Sequence, residues 1–381
     1  MKINTRVQRI LLFSALLSGV VPHLRADAQD VDVPRNLTMR DSTGPTVGNI
    51  LKGGVPFLHD FGTLNTFVGK NAGNFTTTFL GRNTGVGVSA LQNNTTGSSN
   101  TAIGLGALQN NTVGFQNTAS GVHALFFNTN GINNTATGIA ALFTNSIGMN
   151  NTASGAFALN TNTIGSFNTA MGLNALASNT TGFDNTAMGL DALRFNITGF
   201  NNTATGFEAL TGNITGSNNT AIGTNADVST DGLTNATAIG AGAIVDASDK
   251  IRLGNDSVAL IEGVVGFTAN SDRDRQENFR AVRGEEVLRK IRRLNLTSWN
   301  YVGQEPTQFR HYGPAAQDFF DAFGNDGVGT IGTPTTITST EIEGILMVAV
   351  QALERRMEEN DALKARVEAL ERMLGSEVAG R

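Results

Sequence analysis

The chain has 381 residues, a formal net charge of −5 and no cysteine. This length allows two or three domains, and the lack of cysteine excludes disulfides, thiolate metal ligands and a cysteine nucleophile. No basic stripe is present, so we expect no nucleic-acid partner. The histidines are scattered without metal-ligand spacing, so we expect no metal site and no cofactor. They are His23, His59, His123 and His311.

The N terminus has the pattern of a secretory signal peptide. Three basic residues precede an apolar run at 10–21, and Ala26 and Ala28 place small residues at a cleavage point. We therefore expect cleavage after Ala28 and export, either into the medium or to the cell surface. The apolar run is too short to cross a bilayer, and no later segment is long and apolar enough, so we expect no transmembrane segment after cleavage.

A 17-residue unit repeats without a slip across residues 83–227. Its form is N-T-A-x-G-x-x-A-L-x-x-N-x-x-G-x-x, and Asp227 replaces leucine in the last unit. A shorter match at 65–74, inside an N-terminal cap region of residues 29–82, looks like the start of the array. The first-position asparagines are Asn83, Asn100, Asn117, Asn134, Asn151, Asn168, Asn185, Asn202 and Asn219.

Two glycines and several asparagines in every unit argue against a helical repeat. We predict a β-solenoid in which each unit forms one coil, with a short strand at T-A-x-G and glycine or asparagine at corners that need a positive φ. The pattern leaves open a second strand near the A-L pair. Equivalent positions would stack about 4.8 Å apart, so nine coils would extend roughly 43 Å. Stacked asparagines would form amide ladders, and alanine with one leucine per coil would fill a thin core.

Phenylalanines recur at outward positions of the repeat. A lone solenoid would leave them as exposed patches, whereas three chains about a common axis would bury them. We therefore predict a homotrimer; the alternative is that some of these residues are simply tolerated at the surface. They are Phe115, Phe126, Phe127, Phe143, Phe183, Phe195 and Phe200.

The period changes near residue 235. "ATAIGAGA" and "IRLGN", within residues 235–255, resemble the head repeats of trimeric autotransporter adhesins, which are left-handed parallel β-rolls. The resemblance implies a head-like β-roll and connector at residues 228–270. Those adhesins end in membrane-spanning strands, whereas this chain ends in a charged helix, so we expect no such anchor.

The last 111 residues carry 33 of the chain's 59 charged side chains, which indicates a different kind of domain. "GEEVLRKIRRLNL" predicts an amphipathic helix with Val287, Leu288, Ile291 and Leu294 on one face. "TSWNYV" predicts a strand, "PAAQDFFDAFG" a short helical stretch ending at Gly324, and a long helix follows.

The segments "SDRDRQENF", "EVLRKIRRLNLTSWNY" and "HYGPAAQDF", followed by a closing coiled coil, resemble the endosialidase-type intramolecular chaperone of phage tail fibres and tail spikes. The resemblance implies that residues 271–340 form a small α+β domain that trimerises and templates folding of the preceding fibre. In that family the domain then cuts the chain before the serine of an S-D-x-x-x-K motif, with serine as nucleophile and lysine as base. Here Ser271 and Asp272 match the motif, but Gln276 stands where lysine is expected.

Gln276 removes the general base that the motif needs. A serine hydroxyl near its ordinary pKa is a weak nucleophile, and a carboxamide does not accept a proton at neutral pH. Arg275 stays protonated, and Lys290 would need a different geometry. We therefore expect self-cleavage before Ser271 to be lost or very slow, so that the domain stays attached. The simpler interpretation of Ser271 is that it helps to begin a helix.

The final helix has apolar 3-4 spacing, which predicts a trimeric coiled coil at residues 341–375 followed by a tail at 376–381. A buried Asn360 would fix its register. The alternative is a single amphipathic helix folded onto its own domain. The seam is Leu346, Ala349, Leu353, Arg356, Asn360, Leu363, Val367, Leu370 and Leu374.

Together these patterns predict a mainly β protein: a solenoid rod of 17-residue coils, a small α+β chaperone domain and a trimeric coiled coil. The predicted function is an exported, fibrous, adhesin-like homotrimer, whose ligand, a surface glycan or cell-surface receptor, the sequence does not identify. Two alternatives are an active autoprotease that uses Ser271, and a prophage tail fibre. The signal peptide argues against the tail fibre, because such fibres assemble in the cytoplasm.

Overall fold

The structure is a computed structural model, and it describes residues 40–45, 47–75, 81–258, 261, 272–302, 304–307, 310–327 and 329–379. The predicted signal peptide and Ser271 lie outside these residues. The chain divides into two compact units, Met1–Asn255 and Asp256–Arg381.

The first unit is a β-solenoid of about 11 turns, as the repeat predicts. One sheet carries most of its strands in chain order, and two short strands near the C-terminal end of the solenoid pair in a second sheet. The strands are β1 (Ile50–Lys52), β2 (Val55–His59), β3 (Thr66–Val68), β4 (Thr84–Val86), β5 (Thr101–Ile103), β6 (Thr118–Ser120), β7 (Thr135–Thr137), β8 (Thr152–Ser154), β9 (Thr169–Met171), β10 (Thr186–Met188), β11 (Thr203–Thr205), β12 (Thr220–Ile222), β13 (Asp227–Val228), β14 (Thr237–Ile239), β15 (Ile244–Val245) and β16 (Ile251–Leu253).

Each coil contributes one three-residue strand at the T-A-x segment, paired in parallel with the same positions of the next coil. Thr152, for example, pairs with Thr169, which lies one unit later in the sequence. The step is 17 residues from Thr84 to Thr237 and shortens to 14 between Thr237 and Ile251. The change of period near residue 235 is therefore a shorter final coil in the same sheet.

An antiparallel hairpin of β1 and β2 begins the sheet, and β3 is its first parallel strand. Phe67 occupies the inward position that alanine holds in later coils, and it is completely buried. The next coil has Gly85 at that position, where an added Cβ would lie 2.8 Å from the Phe67 ring. The missing methyl group therefore makes room for the aromatic ring that closes this end of the core.

The core is thin and repetitive. The alanines at the third and eighth positions and the leucine at the ninth are buried in coil after coil. These are the residues that the sequence assigns to the interior. Each coil contributes only one large apolar side chain to the interior. The polar groups buried beside it need hydrogen-bond partners, because burial removes them from water.

Two buried asparagine ladders supply those hydrogen bonds. At the first position, the Asn168 backbone N–H donates to Asn151 Oδ1 (3.0 Å), and Asn151 Nδ2 donates to the Gly165 carbonyl (2.8 Å). At the twelfth position, Asn162 Nδ2 donates to Asn145 Oδ1 (2.8 Å) and to the same Gly165 carbonyl (2.9 Å). The predicted amide ladders are thus confirmed, and the structure places them inside the coil.

The corners differ in part from the prediction. The fifth-position glycines have φ between 130° and 142°, and a Cβ on Gly155 would lie 2.3 Å from the Gly172 carbonyl oxygen. The ninth-position leucines also have positive φ, between 49° and 55°. Within residues 83–227 the two invariant asparagines of the unit do not, but asparagine does take a positive φ at variable seventh- and seventeenth-position corners, as at Asn133, Asn150 and Asn174. A left-handed leucine costs about 1–2 kcal/mol, and burying its side chain contributes about 1.5–3 kcal/mol, so the fold tolerates it.

The left-handed leucine also explains why the A-L pair does not form a second strand in the regular coils. A residue with positive φ interrupts the extended backbone that a strand requires. The second ladder forms only where Asp227 and Ile244 replace that leucine.

The second unit combines three helices with a short hairpin. α1 (Gly284–Ile291), α2 (Ala316–Phe323) and α3 (Ser339–Ala379) accompany β17 (Thr297–Trp299), which pairs antiparallel with β18 (His311–Gly313). A 3₁₀ turn at Arg273–Arg275 precedes α1. The predicted helices and the strand at "TSW" are confirmed, while β18 lies in a segment to which the sequence assigned no strand.

The core of this unit joins all three helices. Val287 of α1, Phe319 and Phe323 of α2 and Ala349 of α3 are buried together. The predicted apolar face of α1 packs there, including Leu294, which lies beyond the end of the helix. Within the described part of the chain, no helix has the length and apolarity needed to cross a bilayer.

Candidate functional site

The segment predicted to carry the cleavage chemistry is a 3₁₀ turn and the extended chain after it. Asp272 is the N-cap of the turn, and its Oδ1 accepts a hydrogen bond from the Asp274 backbone N–H (3.1 Å). The Asp272 side chain therefore caps the start of this turn. Ser271 itself lies outside the described residues.

Gln276 follows this turn directly. Its backbone N–H donates to the Arg273 carbonyl (3.2 Å), and its side chain is exposed to solvent. Only burial or a nearby cation lowers a lysine pKa enough to free its amine at neutral pH. A lysine base at this position would therefore need cover from the assembled protein, since the single chain leaves position 276 exposed.

The nearest lysine in sequence, Lys290, is engaged elsewhere. It lies on α1, and its Nζ sits 5.2 Å from the centroid of the Phe323 ring, a cation–π distance. The ring belongs to the core of the unit. Lys290 thus covers the edge of that core.

The histidines lie in three separate surroundings. His59 is buried in β2, where Nε2 lies 2.7 Å from the Ala72 carbonyl and the ring stacks on Phe75. Burial holds the pKa of His59 below its ordinary value. His123 contacts the Phe126 ring edge, and His311 stacks on Trp299 in the hairpin (centroids 4.6 Å apart). The described residues contain no group of histidine and carboxylate side chains arranged to hold a metal ion.

The outward phenylalanines form local clusters. Phe126, Phe127 and Phe143 pack against one another across neighbouring coils, and Phe183 stacks on Phe200 with centroids 4.9 Å apart. Part of their apolar surface is therefore covered within the single chain, although Phe183 remains 43% exposed.

The predicted seam of the last helix divides into two parts. Ala349 is buried against α1 and α2, and Arg356 pairs with Glu285 of α1 (Nε to Oε1, 3.0 Å). These two residues contact their own chain, which corrects their assignment to an interchain seam. The physical reason is that α1 covers this side of α3, and Gly284 lets the helices approach until its added Cβ would lie 2.6 Å from Ala352 Cβ.

The rest of the seam is exposed in the single chain, and the coiled coil stays a prediction. Its large apolar members are each between 46% and 61% exposed. They are Leu346, Leu353, Leu363, Val367, Leu370 and Leu374.

No sequence pattern predicts the contact between α1 and α3. Glu285 and Arg356 are 71 residues apart, and no local pattern connects them. The pair holds the pKa of the Glu285 carboxyl below its ordinary value, because the guanidinium hydrogen-bonds to the charged form. Gly284 is the only residue in the sequence that hints at this contact. It is a glycine at the start of α1, and the residues that follow it favour helix formation.

Comparison with curated proteins and with solved structures finds no match for this chain. Comparison with protein families does find one, and it covers the 3₁₀ turn, α1, the hairpin and α2, directly after the solenoid unit and a short connector. Residues 271–328 match the family described as chaperone of endosialidase.

Proposed function

We propose that this chain is an exported fibrous protein whose C-terminal chaperone domain joins three copies and assists the folding of the solenoid shaft. The observation that carries this proposal is the order of the parts: a solenoid of about 11 turns, then a segment matching the chaperone of endosialidase. That order fits a shaft of the tail-fibre or tail-spike kind. An adhesin-like role follows if the shaft presents its faces to a surface glycan or a cell-surface receptor.

The exposed stripe of α3 supports self-association. Leucines and a valine at heptad spacing, each about half exposed, are what three parallel helices bury between them. Asn360 lies within this stripe and would set the register. Joining three chains at their C-terminal ends brings the three shafts together, which eases the slow pairing of residues distant in sequence.

The proposed fate of the cleavage site is retention of the whole chain. Gln276 cannot take the serine proton, and Lys290 is held over Phe323. The domain then stays covalently attached as a permanent trimeric clamp. A second candidate function, an active autoprotease, would require another base near Ser271.

The mass of the native assembly and the mass of the denatured subunit, measured on one preparation, test both parts. We expect three copies of a subunit that still contains residues 271–381. A native mass of one chain contradicts the trimer, and a released fragment beginning at Ser271 contradicts the loss of cleavage.

Restoring the lysine tests the reason given for that loss. Gln276→Lys should produce a detectable fragment beginning at Ser271, while Gln276→Arg, the matched control, should not, because arginine keeps its proton. Equal cleavage in the unaltered protein and in both variants would show that residue 276 does not decide the reaction.

A further inference from the structure

One outer face of the solenoid carries a mostly apolar strip, called here the apolar strip. It consists of the fourth and sixth positions of each coil, the residues on either side of the left-handed fifth-position glycine, from Val86 to Leu253. Fourteen of its members are large hydrophobic residues at least 37% exposed. They are Val86, Val88, Ile103, Leu105, Val122, Ile139, Met171, Leu173, Met188, Leu190, Phe207, Ile222, Ile239 and Leu253.

The strip differs from the other outward columns by its density of exposed large hydrophobic side chains. No Asp, Glu, Lys or Arg occupies a fourth or sixth position between Val86 and Leu253. The other faces carry polar or charged groups, such as Asn130 at a fourteenth position, Asp184 at a seventeenth and Arg194 at a tenth. A face that concentrates exposed large hydrophobic residues in this way is typical of a surface that another molecule covers.

The size of the strip is that of a protein interface. Eleven strands from β4 to β16 give a length of about 48 Å at the usual strand spacing. Each half-exposed large side chain contributes about 40 Å², so the fourteen together offer on the order of 600 Å². Specific interfaces bury about 800 Å² on each partner. The strip therefore supplies most of such an interface before smaller side chains and α3 are counted.

The repeat of the strip identifies the partner. Its side chains recur at the strand spacing, so a partner that fits every coil must have the same repeat and run in the same direction. A parallel second copy of this chain has both properties, because each coil then meets the equivalent coil of its neighbour. The small polar members Ser120, Thr137 and Ser154 would likewise meet their own copies.

We infer that the apolar strip is the surface through which parallel copies of this chain pack together along the shaft. This inference rests on the proposed homotrimer and adds which face of each solenoid lies at the shared axis. The phenylalanine clusters at the tenth, eleventh and sixteenth positions then face outward. The sequence pattern predicted that those phenylalanines are the residues buried between chains.

Single cysteines test the inference, because the chain has none of its own. Ile139→Cys and Thr137→Cys place a thiol in each column of the strip, and Ile147→Cys places one at a similarly exposed fourteenth position (50% against 55% for Ile139). The full-length folded proteins are treated with a short linker that joins two thiols. We expect joined chains for at least one strip variant, limited to about two thirds of the chains in a trimer, and at least a fivefold lower yield for Ile147→Cys.

Native mass, measured on each variant, separates the possible failures. A trimer that joins at Ile147→Cys but at neither strip position overturns the inference and leaves the proposed function standing, as does a trimer that joins nowhere. A single-chain mass for the unaltered protein overturns the homotrimer as well. If a strip variant does not assemble, Leu173→Cys, with Ile164→Cys as its control, repeats the cross-linking test at another coil.

Discussion

Asn151→Ala removes one side chain from the buried first-position ladder in the middle of the solenoid. The Asn168 backbone N–H then loses its acceptor, Asn151 Oδ1, which lies 3.0 Å away. The Gly165 carbonyl loses one donor but keeps Asn162 Nδ2 at 2.9 Å. Asn168 Nδ2 also loses Asn151 Oδ1 (3.2 Å) but keeps the Gly182 carbonyl (2.9 Å). The damage is therefore one buried backbone N–H without its acceptor, a weakened side-chain ladder and a small cavity.

The expected cost is about 2–4 kcal/mol in the free energy of unfolding. A buried donor left unpaired costs about 1–3 kcal/mol, and the lost packing adds on the order of 1 kcal/mol. Asn151→Asp keeps an acceptor at Oδ1 but turns an oxygen towards the Gly165 carbonyl. It should destabilise at least as much at neutral pH and recover in part in acid, when the carboxyl is protonated.

Denaturant unfolding followed by circular dichroism, at one fixed chain concentration, measures these differences. Asn130→Ala is the matched control, since Asn130 is exposed at the fourteenth position, and it should change stability by less than about 0.5 kcal/mol. An Asn151→Ala protein as stable as this control would refute the idea that the ladders hold the coils together.

Three further predictions concern the ends of the two units. Gly85→Ala should destabilise by about 1–3 kcal/mol, because the added methyl group meets the buried Phe67 ring; adding Phe67→Leu should recover part of the loss in the same titration. Burial lowers the pKa of His59 in the folded protein, so the folded protein should lose stability as pH falls below the ordinary histidine pKa of about 6.5. His59→Phe should flatten that pH dependence of stability. An equal loss of stability at low pH in this variant would contradict the role given to His59. Gly284→Val should lower the unfolding temperature of the C-terminal unit by forcing α1 from Ala352, and an unchanged temperature would show that the close approach is unimportant.

The C-terminal site was predictable only in part. The Ser-Asp pair and the missing lysine can be read directly from residues 271–276, and the family match covers the same segment. The sequence could not show that Lys290 sits over Phe323, or that Arg356 of the expected seam pairs with Glu285. Each of these contacts joins residues at least 33 positions apart, and no periodic pattern connects them.

The sequence by itself determined the solenoid, its coil length and its interior. A strictly periodic chain stacks equivalent positions on one another, so alanine, leucine and asparagine at fixed positions specify the core and its ladders without long-range information. The tertiary structure alone decided where that period is broken. Leucine adopts a left-handed corner because its burial outweighs the strain, Gly85 yields space to Phe67, and the fourth- and sixth-position side chains form one exposed face. These outcomes depend on the shape that neighbouring coils present to each other, which no single unit contains.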